Sequence, residues 1–129
     1  MQKVVLVARI LLGLVFFVFG INFFLQFLHQ PPPPEVAGAF LGGLAASGYF
    51  FPMMKVIDIL CGLLLIAGRW VPLALTVLAP IVVNIFLYHL FLDPSGLPLA
   101  GLILALEIFL AWGYRGSFKG VLAGAAKPG

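Results

Sequence analysis

"MMKVIDILCGLLLIAG", residues 53–68, sets Lys55 and Asp58 three positions apart and then runs to its closing glycine without another charge. What those two charges do depends on the solvent around the stretch, so composition comes first. The chain has 129 residues, 64% of them hydrophobic and 9% charged, with a mean hydropathy of +1.22. A soluble domain carries about a quarter of its residues charged. A bilayer crossing takes roughly 20 mostly apolar residues per helix. The sequence offers several such runs, the second of them short for a full crossing, and the expected fold is an all-α bundle of four transmembrane helices. It forms a single integral membrane domain over residues 1–129.

The runs lie at about 4–28, 51–67, 72–92 and 97–112. The prolines at 31–34 stop the first, because proline has no backbone donor and fixes φ. "EVAGAFLGGLAASG", 35–48, is too short to span. It reads as a short surface or re-entrant helix between spans 1 and 2, with Glu35 favourable at its N-terminal end. Pro72 suits the first turn of span 3, and Pro80 should kink that span. "DPSG", 93–96, is a turn. The apolar run after Lys3 is too long for a signal segment and reads as a retained first span.

The net charge is +3. Its bases are scattered at the ends of apolar runs, with no basic stripe, so topology explains them better than nucleic acid does. Lys3, Arg9, Arg69, Arg115, Lys119 and Lys127 fall on one side of a four-span chain. Glu35 and Asp93 fall on the other, with Lys55 the only base near it. The positive-inside rule then expects both termini in the cytoplasm. Arg9 and Arg69 read as anchors that snorkel to that side. Cys61 is the only cysteine; it excludes CxxC redox chemistry and reads as a buried structural thiol.

In this frame Asp58 lies about 10 Å inside the outer face. A charge there is costly against lipid, so it should face the bundle interior and have a partner. Lys55 is one turn shallower and can reach it, or can snorkel outward. Asn22, Gln26 and His29 recur at helical spacing on span 1, Asn84 and Tyr88 on span 3, and Glu107 lies near the middle of span 4. We expect a polar pocket in the outer half or centre of the bundle, built from Asn22, Gln26, Asp58, Asn84 and Glu107. For the three amides the simpler alternative is helix-to-helix hydrogen bonding, worth about 1 kcal/mol each. For Asp58 and Glu107 a functional role is preferred, because ionisable groups are costlier to keep. His29 and His89 have the residue type for haem held between facing helices. His89, however, is turned about 140° from Asn84, which makes an interfacial histidine the favoured reading. No sequence cluster suggests a metal site. No hydrolytic or transferase motif marks a catalytic residue.

"ARILLGLVFFVFGINFF", 8–24, resembles the first span of the DoxX family, with an arginine, a glycine one turn on and another glycine near the outer end. "KVIDILCGLLLIAGRWVPLALTVLAPIVVNIFLYH", 55–89, resembles its central region. There Asp58, Gly62, Gly68 and Arg69 occupy the places of an acidic residue, two glycines and a basic turn residue. Aspartate stands where glutamate is common in the family. The resemblance implies a four-helix protein of the bacterial or archaeal cell membrane. The family takes its name from a small subunit of a membrane-bound thiosulfate:quinone oxidoreductase. It therefore implies a membrane subunit of a larger redox assembly, acting as an anchor or lining a quinone and proton site, with other membrane or redox subunits as partners. In that reading Asp58 and Glu107 carry protons and Asn22 and Asn84 donate hydrogen bonds. The alternative is a stand-alone binder or carrier of a small hydrophobic molecule. An independent enzyme ranks third.

Overall fold

The structure is a computed structural model and describes residues 1–27 and 32–129. His29 lies outside the described residues. Four long apolar helices dominate: α1 (Gln2–Leu25), α3 (Phe50–Ala67), α4 (Val71–Phe91) and α5 (Leu97–Gly113), with the shorter α2 (Glu35–Ala46) between the first two. Each long helix, α5 together with the 3-10 turn before it, is long and apolar enough to cross a membrane. A four-residue α6 (Lys119–Leu122) follows the 3-10 turn Arg115–Phe118.

Local chemistry sets the ends. α1 stops three residues short of the expected Leu28, because Gln26 turns left-handed (φ 52°) and donates its N–H to the Asn22 carbonyl. α3 ends at Gly68, whose φ of 75° is the left-handed C-cap that glycine adopts without steric cost. The Gly68 and Arg69 N–H groups both return to the Leu64 carbonyl. Val71 then opens α4, with Pro72 in its first turn, where a missing N–H is harmless. Ser47 joins α2 to α3: its hydroxyl donates to the Leu44 carbonyl at 2.7 Å and accepts from the Phe50 N–H at 3.2 Å.

The long helices close into a ring in the order α1, α3, α4, α5, with α1 against α3 the largest interface. Glycine makes that closeness feasible. A Cβ built on Gly13 would meet the Gly62 carbonyl oxygen at 2.8 Å, and one on Gly62 would meet the Gly13 oxygen at 2.7 Å. The two backbones touch where any side chain would hold them apart. Leu12, Leu65, Leu75, Leu78, Val82 and Leu110 fill the centre. Outward faces carry Leu, Val, Ile and Phe, such as Leu11, Val56, Ile108 and Phe91, the surface that lipid requires. The chain is a multi-pass membrane protein.

Candidate functional site

Three polar residues are buried among the described residues: Asn22, Asp58 and Glu107. Asp58 sits midway along α3, 4% exposed, with Oδ2 3.9 Å from Lys55 Nζ and Oδ1 without a hydrogen-bond partner. The ion pair expected from the three-residue spacing is therefore present but loose. Lys55 holds one carboxylate oxygen at the limit of ion-pair distance and leaves the other free. One turn further along α3 lies the buried Cys61 thiol.

Glu107 is 7% exposed, and its Oε1 has no partner either. It lines a groove of about 320 Å³ with Leu75, Thr76 and Ala79 of α4, Ala111 of α5, and Arg115 and Phe118 beyond it. Arg115 is held at this groove by its own helix end. Its Nη1 donates to the Trp112 carbonyl at 2.9 Å, and its guanidinium lies 4.4 Å from the centre of the Trp112 ring. The Thr76 hydroxyl donates to the Pro72 carbonyl at 2.8 Å. Apart from Glu107 and Arg115, the groove is thus nearly apolar.

Among the described residues, the side chains expected to build one pocket in the outer half or centre of the bundle do not all come together. Gln26 is exposed, because the helix has already ended there. Asn84 is exposed on the outward face of α4, since the buried stripe of that helix is Val71, Ala74, Leu75, Leu78 and Val82. The two carboxyls separate along the bundle axis. Gly20 faces the Lys55–Ile59 turn, and Gly113 faces Val5. Those registers put Asp58 and Glu107 about 10 Å apart in depth. Asn22 is near the Lys55–Asp58 level, whereas Glu107 belongs to the half that holds both termini.

Tyr88 is partly buried, with Phe40 of α2 at 6.1 Å and His89 at 4.9 Å between ring centres. His89 donates from Nδ1 to the Ile85 carbonyl at 2.9 Å, and its ring packs on Gly96. Among the described residues no group of three His, Cys, Asp or Glu side chains could hold a metal ion.

Two features are not evident from the sequence. Arg115 and Phe118 fall in the tail by sequence, yet they complete the groove; a cation and an aromatic just past a helix end are the available signal. Arg9, expected as an anchor on the side of the termini, lays its guanidinium on Gly68 at the end of α3. Cations are favoured at that pole of a helix.

No curated protein and no solved structure matches the chain. The DoxX family model matches residues 4–90, a region that contains Arg9, Gly13, Gly20, Asp58, Gly62 and Gly68 but stops short of Glu107, and the chain belongs to the DoxX family.

Proposed function

We propose that this protein is a small membrane subunit of a larger, quinone-linked redox assembly, and that it lines the site where a quinone head group exchanges protons. The observation that carries this reading is the Glu107 carboxyl, buried with Oε1 unpartnered in a groove that is otherwise almost apolar. A ring flanked by hydrogen-bonding oxygens fits such a groove: the walls supply apolar contact, and one carboxyl supplies a directional polar contact. A bound quinone would supply the two-electron, two-proton chemistry. The chain's own part is narrower. Leu75, Ala79 and Phe118 exclude water, Glu107 holds or releases a proton at its carboxyl, and Arg115 offers N–H donors at the rim. Asp58, deeper in the bundle and paired loosely with Lys55, is a second proton-holding group. Electrons would come from a partner subunit.

A second reading, a stand-alone binder of a small hydrophobic molecule, draws on the same groove, whose lining is mostly apolar. Extraction in mild detergent, followed by mass spectrometry of what co-migrates, separates the two. A stoichiometric complex with flavin, haem or iron–sulfur subunits is the expected result. A lone particle carrying no partner would overturn the assembly and favour the binder. In the intact assembly, Glu107→Gln should keep the complex together and lower quinone-linked turnover by about tenfold or more, the usual scale for loss of a positioned proton-transfer group. Unchanged turnover would remove Glu107 from the site.

A further inference from the structure

Asn84 has no role in the groove, and its position on α4 is costly. It is exposed, roughly 10 Å from the Phe91 end of the helix at 1.5 Å per residue. It has no hydrogen-bond partner among the described residues. Among those residues it is also the one exposed amide more than a turn from the end of a spanning helix. Hydrocarbon offers an amide neither donor nor acceptor. Thr76, an exposed hydroxyl on the same helix, satisfies itself through the Pro72 carbonyl. Asn84 makes no such bond among the described residues.

We infer that α4 pairs with α4 of a second copy of this chain, with Asn84 hydrogen-bonded to its counterpart. Two general considerations and one observation favour a copy over a different partner. A side-chain amide carries donors and an acceptor together, so an identical amide is its complement. Copies inserted with one orientation can meet about a two-fold axis along the membrane normal, which runs the two α4 helices parallel and sets each residue against itself. The exposed residues around Asn84, namely Val77, Pro80, Leu87 and Phe91, flank it at alternating three- and four-residue steps. That is the seam of a parallel helix pair, in which one asparagine fixes register and partner number. The outward face of α1 provides the contrast. Val4, Val7, Leu11 and Leu14 are exposed there with no polar group among them, and lipid alone satisfies that face. α4 and α1 are not neighbours in the ring, so the pairing leaves the α1–α3 glycine contact untouched.

The test uses the full chain in its membrane. Cys61→Ala removes the native thiol, and Leu87→Cys places a new one beside Asn84. Thiol cross-linking before extraction should give a species of twice 13.9 kDa. Adding Asn84→Leu should lower its yield roughly tenfold, and Asn84→Gln should largely retain it. Leu14→Cys on α1 should cross-link only at the level of random collision. Thermal unfolding of the extracted monomer should be the same for Asn84→Leu as for the native chain, because the substitution lies on an exposed face. That readout separates a lost pairing from a lost fold. The inference is overturned if no homodimer forms, if Leu14→Cys cross-links as well as Leu87→Cys, if Asn84→Leu leaves the yield unchanged, or if the thiol joins only a different protein. None of these outcomes bears on Glu107, so this inference and the proposed function fail separately.

Discussion

Asp58 and Glu107 behave alike at the level of single residues: each is a carboxyl carried into an apolar helix and buried with one oxygen unpartnered. Both are legible in the sequence, because an ionisable group within a span has few alternatives to an inward position. Amides are not legible in the same way. Gln26 follows the helical spacing of Asn22 but lies beyond the last helical residue, and Asn84 points outward although its neighbour Tyr88 is partly covered. An amide costs less than a charge, so packing overrules it. Substitutions at Asp58 separate its roles. Asp58→Asn keeps the shape, so folding should persist while proton-linked turnover falls, as read from activity of the assembly across pH. If Asp58→Leu instead raises thermal stability and leaves activity intact, Asp58 is structural. Gly68 makes a different demand. Its φ is 75°, and an added Cβ would meet Arg9 Nη1 at 2.5 Å. Gly68→Ala should therefore cost about 1–2 kcal/mol from left-handed strain alone, plus the Arg9 clash. Arg9→Ala in the same chain should return the clash component but not the strain, as measured by thermal unfolding in detergent.

Between elements, the α1–α3 contact is the tightest joint in the protein, and glycine on both sides makes it so. Gly62→Val would drive a branched side chain into the Gly13 carbonyl and the Phe17 backbone. A loss of at least about 1–3 kcal/mol is expected, because the obstacle is backbone that cannot rotate away. Gly101 on α5 is the control. Nothing lies within 4 Å of an added Cβ there, so Gly101→Ala should be neutral or stabilise by up to about 1 kcal/mol through helix propensity. Denaturation of both variants in the same detergent checks the contrast. α4 and α5 form the complementary half and pack against each other below the turn at 92–96. There Ser95 donates its hydroxyl to Asp93 Oδ1 at 2.6 Å, and His89 packs on Gly96. The groove opens on this second pair, where Ala79 and Ala111 leave room.

For the whole molecule, four spans put the two ends of the chain on one side, and the charge distribution expects that side to be the cytoplasm. In the Cys61→Ala background, Ser95→Cys should react with a membrane-impermeant maleimide from outside intact cells, and Lys127→Cys only after lysis. The reverse pattern would invert the topology and move the Glu107 groove to the outer half. The amino-acid sequence by itself determined the solvent, the number of spanning helices, and the pair of carboxyls worth following. Each of those follows from composition or from short-range rules, in which a residue's chemistry and its nearest neighbours are enough. Only the tertiary structure decided which face of each helix turns inward. That choice placed Asn84 on the outer surface, set Asp58 and Glu107 at different depths, and brought Arg115 and Phe118 back over α4 and α5. The physical reason is that a helix hydrophobic on nearly every face carries almost no periodic signal of its orientation. Its rotation is set instead by where two glycines let backbones touch and by which large side chains fill the remaining centre.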